Sequence, residues 1–338
     1  MSSWLITGAQ GFLGRHVVAR ILEWEPGAQI LGIGRSPELP GLFSHCVTGP
    51  RGRVPAPFPA DLPALPSRYT YRACDLVDTR RLHSIAEQFR PQNVIHLASG
   101  LRGDPLSQLV KSNIEATASL LQVLSGVNSI RTLVLGSTGG VYGTVPDNEL
   151  PISESRCPQP ADEYAVTKLA GEFLARNAAV RSGVRLVISR IFNLIGAGQD
   201  ERHIAGQIAL QLARIRHGAE PKLTLHGPLD ASRDFIDVRD AARALVHLAE
   251  VRSAKTSQTS EIVNIATGIE TPVSQLARCF FRQTDLDVTV ASPAASTLDV
   301  QRHFADVTCL GQTGFRHNYS LESSVDSIWN YYQRLWAI

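Results

Sequence analysis

The first pattern that could carry chemistry is a tyrosine and a lysine four residues apart, Tyr164 and Lys168, in the stretch DEYAVTKLAGEF. Helix-forming residues surround them, so both side chains are predicted to lie on one face of a helix. A nearby ammonium favours the phenolate and lowers the pKa of a phenol, which suits acid–base work near neutral pH. The same spacing also occurs on ordinary solvated helices. Other segments of the sequence are therefore needed to distinguish a catalytic pair from a solvated helix face.

A second pattern puts hydroxyl groups at the end of a predicted strand. The segment TLVLGSTGGVYG, residues 132–143, carries Ser137 and Thr138 where the fifth predicted strand ends. Ligands of open α/β sheets bind at the carboxyl ends of the strands. A hydroxyl there could hydrogen-bond a substrate oxygen beside Tyr164, which favours a catalytic role for the tyrosine and lysine.

Three glycines, Gly8, Gly11 and Gly14, lie between a predicted strand at 4–7 and a predicted helix that begins near residue 12. The first allows a tight turn, the second lets a pyrophosphate approach the backbone, and the third lets the helix pack on the sheet. The helix N-terminus then faces the phosphates. This position between a strand and a helix predicts a dinucleotide site, with Phe12 and Leu13 as further cofactor contacts.

The second predicted strand ends in GIGRS and so carries Arg35 where NAD enzymes carry an acidic residue. The next carboxylate along the chain is Glu38. An arginine at this point can pair with a 2′-phosphate, so NADP(H) is the favoured cofactor. If Arg35 is only a solvated side chain, NAD(H) is possible instead.

Further cofactor contacts are expected after the third and fourth predicted strands. Asp75 could accept a hydrogen bond from the adenine amino group, with Leu76 against the ring. Asp75 could instead cap the following helix, a role that Asp78 or Thr79 would fill equally well. The remaining expected contacts are Leu97 and Ala98.

Elements that could position these residues alternate along the first 190 residues. Short apolar runs at 4–7, 29–34, 69–74, 93–98, 132–137 and 184–190 are separated by helix-length segments. The alternation predicts an α/β fold with a Rossmann-type doubly wound parallel sheet. The expected domains are an NADP-binding domain, 1–190, and a smaller C-terminal α/β substrate lobe, 191–338, with some segments that return to the first domain.

The segment 35–68 interrupts this alternation. It contains eight prolines and is predicted to be a long irregular loop between the second and third strands. Loops of this length are uncommon in compact domains. A lid, an interface and a tolerated insertion are all open interpretations.

The composition of the chain argues against several classes of protein. The 338 residues are 43% hydrophobic and 19% charged, with a formal net charge of +2 and no basic run, so no nucleic-acid partner is expected. Five scattered cysteines without a CxxC pair predict neither a disulfide framework nor a metal site. No apolar run reaches the roughly 20 residues of a membrane span. With no signal peptide evident, a cytoplasmic protein is expected.

Taken together, TGAQGFLG, STGGVYG and YAVTK resemble the extended short-chain dehydrogenase/reductase superfamily. RIFNLIGAGQ at 190–199 and SRDFIDVRDAARAL at 232–245 also resemble segments of that family. The resemblance implies that Tyr164 exchanges a proton with the reacting oxygen, and that Lys168 tunes it and binds the nicotinamide ribose. It implies Thr138 as the catalytic hydroxyl, with Ser137 as the fallback.

The resemblance also implies a nucleotide-diphosphate sugar as substrate. Asn193 and Arg233 match positions that hold the diphosphate in that family, although Arg233 could instead pair with Asp234 or Asp237. It further implies a homodimer through two helices per subunit, near 105–124 and 161–180.

Three chemistries of the family compete. A 4,6-dehydratase needs an acid and a base after the catalytic threonine, and Gly139 and Gly140 stand there. A 4-epimerase with tightly held NAD is open, whereas a 4-ketoreductase that uses NADPH agrees best with Arg35. The segments STGGVYGTVPDNELPISE, RIFNLIGAGQ, GPLDASRDFIDVRDAARAL and LDVQRHFADVTCLGQTGF resemble the GDP-4-dehydro-6-deoxy-D-mannose reductase group. Ser296 replaces an arginine of that group, so the nucleotide stays open. A non-catalytic NADP-binding regulator is the alternative from another class.

Overall fold

A computed structural model describes residues 2–225, 227–251, 260–284, 286–293 and 300–337. Ser296 lies outside these residues, as do the first two residues of the segment LDVQRHFADVTCLGQTGF. The expectation that Ser296 alters the nucleotide site therefore stays a prediction.

Seven strands form one central sheet, in which every pairing is parallel. The strands of the described residues are β1 (Ser3–Thr7), β2 (Gln29–Gly34), β3 (Leu42–Gly49), β4 (Gly52–Pro57), β5 (Tyr69–Ala73), β6 (Asn93–His96), β7 (Thr132–Thr138), β8 (Arg185–Ile191), β9 (Asn193–Ile195), β10 (Lys222–Thr224), β11 (Ser232–Arg233), β12 (Phe235–Asp237), β13 (Ser260–Ile265), β14 (Thr271–Pro272), β15 (Thr289–Ala291) and β16 (Arg302–His303). The order of the central sheet is β13-β8-β7-β6-β1-β2-β5. This confirms the predicted Rossmann-type fold.

Helices cover both faces of this sheet. They are α1 (Phe12–Trp24), α2 (Thr79–Phe89), α3 (Leu106–Leu109), α4 (Ala116–Leu124), α5 (Glu163–Ser182), α6 (Ile204–Arg216), α7 (Val238–Glu250), α8 (Val273–Thr284), α9 (Thr308–Gln312) and α10 (Leu321–Trp336). A π-helical segment, Val110–Glu115, joins α3 to α4, and 3₁₀ turns form at Gly139–Tyr142 and Asp147–Glu149. Among the described residues, no helix is both long and apolar enough to cross a bilayer.

The alternation of side chains along each strand divides the core into two layers. Trp4 and Ile6 belong to one apolar cluster with residues of α1 and α7. Leu5, between them, belongs to another with residues of α2, α4 and α5. Successive side chains of a strand point to opposite faces, and a parallel sheet is buried on both. The near-continuous apolar runs in the sequence are the consequence.

One strand and one helix of the chain's second half complete the sheet. β13 pairs with β8 along six residues, from Ser260 opposite Leu186 to Ile265 opposite Ile191. α7 packs beside α1. A second apolar cluster joins α6, α8 and α10 outside the sheet. The boundary at 190 and 191 remains a prediction.

The segment 35–68 is not the long irregular loop that the sequence predicts. It contains an antiparallel hairpin, β3–β4, whose Phe43, Val47 and Ala56 are fully buried against α6, α8 and α10. Tyr331 Oη and Trp336 Nε1 of α10 donate to backbone carbonyls of this hairpin, at 3.0 and 3.2 Å. Prolines obscured the strands because they are normally excluded from sheet interiors, but a two-stranded hairpin tolerates them at its edges.

Candidate active site

A cleft of about 1150 Å³ opens at the carboxyl ends of the central strands and extends toward the second cluster of helices. It is lined by every residue that the sequence predicts for catalysis, cofactor or substrate, namely Gly8, Gly11, Phe12, Leu13, Gly14, Arg35, Asp75, Leu76, Leu97, Ala98, Ser137, Thr138, Tyr164, Lys168, Asn193 and Arg233. The residues converge, and their individual roles remain predictions.

The glycine loop needs its glycines for physical reasons. Gly8 has φ +70°, and a Cβ there would lie 2.8 Å from the amide nitrogen of Ala98. A Cβ on Gly14 would lie 2.1 Å from the carbonyl oxygen of Gly8. Gly11 immediately precedes α1, and its amide donates to Gly8 O at 2.9 Å. Such a bare backbone beside a helix N-terminus fits a pyrophosphate.

Beneath the glycine loop, a threonine and a histidine that the sequence analysis did not predict form a hydrogen-bond network. Thr7 Oγ1 accepts from the amides of Leu97 and Ala98, both at 3.2 Å. His96 bonds Thr7 Oγ1 at 2.6 Å and Thr117 Oγ1 at 3.0 Å through its two ring nitrogens. Burial lowers the pKa of His96 to about 3, so the ring is neutral. These bonds hold the ends of β1 and β6 together.

Arg35 is exposed at the end of β2, on the cleft. The nearest carboxylate in sequence, Glu38, is 2.7 Å from Nη2 of Arg15, whose side chain is only 2% exposed. Arg15 lies between the rings of Phe58 and Tyr69, with its Cζ 4.9 and 5.2 Å from their centroids. Glu38 is thus bound by the buried Arg15, and Arg35 is a charged side chain that lines the cleft where β2 ends.

Asp75 and Leu76 follow β5 and also line the cleft. The side chain of Asp78 caps α2, because its Oδ1 accepts from the amide of Arg81 at 3.1 Å. Asp75 therefore does not serve as the cap. Its Oδ2 lies 3.9 Å from Lys111 Nζ, and its Oδ1 accepts from the amide of Val77 at 3.3 Å.

Lys168 is buried and donates from Nζ to the carbonyl oxygen of Gly136, at 2.6 Å. Burial lowers its pKa to about 8, although Glu172, one helical turn further, opposes this effect. Glu172 is 2% exposed and accepts from Arg190 Nε and Nη2 at 3.1 and 2.8 Å. A buried carboxylate thus supports the charge of the lysine.

The two adjacent hydroxyls of β7 have different surroundings. Ser137 is buried and donates to Glu172 Oε1 at 2.5 Å, so its proton is engaged beneath the cleft. Thr138 Oγ1 accepts from the amide of Gly140 at 3.1 Å. This bond uses a lone pair and leaves the hydroxyl proton for an acceptor in the cleft. Thr138 is therefore better suited than Ser137 to contact a substrate oxygen.

Tyr164 does not have the lowered pKa that its spacing from Lys168 predicts. Burial raises the pKa of the phenol, while Arg102 and a hydrogen bond with Ser99 act in the opposite direction and Asp162 raises it further. The ammonium of Lys168 is directed to Gly136 O. The predicted direction is wrong for this arrangement, because desolvation of the phenolate outweighs the nearby cations.

Asn113 is a further functional candidate that sequence reasoning missed. It lies in the π-helical segment and is 3% exposed. Its Oδ1 accepts from Ser99 Oγ and the Gly100 amide at 2.9 and 2.7 Å, and its Nδ2 donates to Thr167 Oγ1 at 2.9 Å. π-Helical turns often occur at functional sites. The available signal in the sequence was that Asn113 is a polar residue among apolar positions of the predicted helix.

The far end of the cleft contains Asn193 on β9 and Arg233 on β11. Arg233 is paired in register with His303 of β16. Burial and the charge of Arg233 lower the pKa of His303 to about 4. The ring of His303 lies 4.9 Å from that of Phe192, so this unpredicted pair forms an aromatic wall beside the arginine.

The sequence allows Asp234 or Asp237 as an ion-pair partner of Arg233. In the structure, the carboxylates of both residues accept hydrogen bonds from other groups. Asp234 accepts from the amides of Thr267 and Gly268, both at 2.8 Å. Asp237 accepts from Arg239 Nη2 at 2.8 Å. Asp234 thereby holds the loop that follows β13, whereas Asp237 caps α7. In the described ranges, no cluster of three or more histidine, cysteine or acidic side chains is arranged to hold a metal ion.

Comparison with known proteins decides the family. Residues 4–266 match the model of the NAD dependent epimerase/dehydratase family. The chain belongs to this family. It is accordingly an NAD(P)-dependent enzyme of the extended short-chain dehydrogenase/reductase type, as its motifs predict, in a family that modifies nucleotide sugars.

Proteins whose names give different activities resemble the chain over nearly its whole length. A GDP-6-deoxy-D-mannose reductase of Pseudomonas aeruginosa is 27% identical over 332 residues, 96% of this chain and 94% of that protein. The UDP-glucose 4-epimerase of Thermotoga maritima, solved with UDP-glucose, is 22% identical with a TM-score of 0.80, over 98% of this chain and 99% of that one. A P. aeruginosa protein called RMD, solved with NADPH, is 24% identical with a TM-score of 0.79, over 99% and 100%.

Proposed function

We propose that the chain uses NADPH to reduce the C4 keto group of a nucleotide-linked 4-keto-6-deoxy-hexose. The observation that carries this proposal is the end of β2. Arg35 faces the cleft there, and Glu38 is bonded to Arg15. A guanidinium pairs well with a 2′-phosphate, whereas a ribose 2′-hydroxyl calls for a carboxylate. The similarity to a GDP-6-deoxy-D-mannose reductase supports the same reaction class.

In this proposal the residues of the sheet edge hold the cofactor. Gly8, Gly11 and Gly14 leave room for the pyrophosphate at the N-terminus of α1, where Phe12 and Leu13 begin the helix. Asp75 and Leu76 would contact the adenine, and Leu97 and Ala98 would be further cofactor contacts. Lys168 would bind the nicotinamide ribose. When bound, the reduced cofactor supplies the hydride that the carbonyl carbon accepts.

Tyr164 would give its phenolic proton to the carbonyl oxygen, and Thr138 would donate a hydrogen bond to the same atom. Burial keeps the pKa of Tyr164 above its ordinary value, so the phenol is protonated at neutral pH. A protonated phenol is the form that a reduction requires, since the new alkoxide must receive a proton. Lys168, with a pKa near 8, is mostly cationic at the same pH and would favour the phenolate left behind.

Elimination is disfavoured by the residues that follow Thr138. Gly139 and Gly140 stand where a 4,6-dehydratase carries its acid and base, and glycine supplies neither. A Cβ on Gly139 would lie 2.9 Å from the ring of Phe192. The site therefore leaves no room there for an acidic side chain without a shift of that ring.

The substrate would be a nucleotide-diphosphate sugar, with residues 191–338 as the main substrate lobe. Asn193 and Arg233 line the cleft on that side and would hold the diphosphate. An arginine fork matches phosphate oxygens in geometry and charge. A small neutral ketone would need no such residues.

The proposal is tested first by the cofactor. The purified protein is denatured, any released nicotinamide nucleotide is identified, and the cofactor-free protein is titrated with NADPH and NADH. We expect an empty site with a clear preference for NADPH, followed by turnover of at least one nucleotide 4-keto-6-deoxy-hexose. Stoichiometric NAD retained through purification would identify a 4-epimerase instead. NADPH binding without turnover by a full panel of such sugars would favour a regulator.

A further inference from the structure

Arg102, in the loop between β6 and α3, lies over the ring of Tyr164. Its Cζ is 5.9 Å from the ring centroid, and its Nη2 is 2.8 Å from Asp162 Oδ2 at the start of α5. A Cβ on Gly140 would lie 3.1 Å from the same Nη2. The guanidinium is thus held between α5 and the 3₁₀ turn after Thr138, where it lines the cleft.

The charged and hydroxyl groups that line the cleft with Tyr164 include residues of three parts of the chain. Arg102 and Ser99 lie in the β6–α3 loop, Asp162 caps α5, Lys168 lies on α5, and Thr138 lies on β7. Arg102 lowers the pKa of the phenol more than any other group, Ser99 lowers it through a hydrogen bond, and Asp162 raises it. Lys168 instead donates to the carbonyl of Gly136.

We propose that Arg102 is the positioning residue that governs how readily Tyr164 gives up its proton, with Asp162 as its tether. The four-residue spacing of Tyr164 and Lys168 would instead assign control of this proton to Lys168 alone. The inference rests on the proposed function in one respect, namely that Tyr164 is the proton donor. It differs from a purely structural ion pair, since the side chains of Arg102 and Asp162 are 65% and 39% exposed and such pairs contribute little to stability.

A direct titration tests the proposal without turnover. Tyrosine rings are labelled with ¹³C, and the Tyr164 signal is identified by its absence in Tyr164→Phe. We expect the titration midpoint of Tyr164 to move upward in Arg102→Gln and to stay nearer the parent value in Arg102→Lys, which keeps the charge. In the Arg102→Gln background, Asp162→Asn should move it downward, because it removes the opposing carboxylate while an asparagine still caps α5.

Salt separates an electrostatic role from a structural one. The Debye length falls to roughly 3 Å at 1 M salt, so the midpoint of the parent protein should approach that of Arg102→Gln. Arg53→Gln, on the β3–β4 hairpin, removes the same charge from another exposed position and should leave the midpoint unchanged. A midpoint that is equal in the parent and Arg102→Gln, or an equal shift in Arg53→Gln, would overturn the proposal.

Kinetics then show whether Arg102 acts through Tyr164 or on the substrate. At neutral pH we expect Arg102→Gln to lower kcat by roughly three- to tenfold, with an unchanged KM for the sugar. A raised KM with an unchanged kcat would assign Arg102 to substrate binding and refute the tuning role. Full activity in Tyr164→Phe would refute the proposed function itself, whereas loss of activity there with no effect of Arg102→Gln would refute this inference alone.

Discussion

At the scale of single residues, the candidate site consists of groups that border the cleft and of a buried polar network that supports them. Glu172 is buried beneath the cleft, whereas the phenol of Tyr164, the hydroxyl of Thr138 and the largely buried Lys168 border it. A buried charge must be compensated, and the ion pair of Glu172 with Arg190 supplies a fixed frame for the lysine. The reacting groups therefore rest on a polar network that does not itself need to touch substrate.

Removal of the Tyr164 hydroxyl should abolish most turnover. In Tyr164→Phe we expect kcat to fall about 10²- to 10⁴-fold, the usual contribution of a positioned general acid. NADPH should still bind, since the proposed pyrophosphate loop is unchanged. Steady-state kinetics and fluorescence titration with NADPH measure the two quantities. Near-normal kcat would remove Tyr164 from the mechanism.

Reversal of the charge at the end of β2 should change the cofactor preference. In Arg35→Glu we expect the ratio of kcat/KM for NADPH to that for NADH to fall about 10- to 100-fold, because a charged hydrogen bond to the 2′-phosphate is replaced by repulsion. Arg53→Glu, an equal charge change on the β3–β4 hairpin, is the matched control. An unchanged ratio in Arg35→Glu would show that another group reads the phosphate.

The sequence predicted which residues line the cleft, but it did not predict their pKa values or their hydrogen-bond partners. Glycine spacing and strand ends predicted where the residues converge, because the periodicity of the chain fixes which ends of the strands meet. The raised pKa of Tyr164 and the engaged hydroxyl of Ser137 depend on burial and on Glu172, which lies far from Ser137 in sequence. Such long-range contacts have no local signature.

At the scale of elements, the turn between β1 and α1 is a packing constraint as well as a binding loop. A Cβ on Gly14 would meet the carbonyl oxygen of Gly8 at 2.1 Å, so α1 could not keep its present distance from the loop. The same close approach brings the first turn of the helix to the cleft. Binding and packing therefore depend on the same atoms.

Gly14→Ala should consequently weaken both stability and cofactor binding. We expect a loss of about 1–3 kcal/mol in the free energy of unfolding, as for other overpacked sites, together with weaker NADPH binding. Urea denaturation and NADPH titration measure these effects. Gly311→Ala is the control, because no atom lies within 4 Å of its added Cβ, and it should leave both quantities nearly unchanged. Equal behaviour of the two variants would contradict the packing argument.

The predicted elements of the sheet agree with the structure because each strand is a short apolar run bounded by turn residues. Most elements after residue 191 were not predicted individually, and within the first 190 residues the β3–β4 hairpin and a π-helical segment were not. The β3–β4 hairpin was hidden by its prolines, although the alternation of LFSHCV at 42–47 was a usable signal. The π-helical segment Val110–Glu115 was read as continuous helix, because apolar spacing does not distinguish one wider turn from regular helix.

At the scale of the whole molecule, α5 presents an apolar stripe on its outer side. Val166, Phe173 and Val180 are 50, 59 and 72% exposed at seven-residue intervals. A seven-residue repeat keeps side chains on one helix face. This face is where the homodimer expected from the sequence would form.

Substitution in this stripe should therefore weaken self-association. We expect the parent protein to sediment as a dimer and Phe173→Glu to raise the dimer dissociation constant about 30-fold or more, as for an interface hot spot. Analytical ultracentrifugation measures the change. Ile269→Glu, at a loop residue that is 63% exposed, is the control. A monomeric parent protein at all concentrations would contradict the dimer.

Stability of the whole fold should decline in mild acid. Burial lowers the pKa values of His16, His96 and His303 to about 4, 3 and 4, below the 6.5 of an unfolded histidine. The unfolded chain then binds more protons between pH 6.5 and about 4, so this stability is full above 6.5 and is lost as the pH falls.

Urea denaturation at pH 7 and pH 5 measures this loss. His303→Gln should reduce the slope of unfolding free energy against pH by about 1 kcal/mol per pH unit, whereas His83→Gln, at an exposed position, should not. A slope that is identical in the parent protein and His303→Gln would show that His303 does not contribute.

The return of β13 to the central sheet sets an order of events during translation. Until residues 260–265 leave the ribosome, β8 has an unpaired edge, and α1 is incompletely covered until α7 has emerged. The β3–β4 hairpin is made early, yet its buried face rests on α10, residues 321–336. A nascent chain therefore exposes the edge of β8 until β13 emerges, and the apolar face of the hairpin until α10 emerges. Both are typical substrates for chaperones.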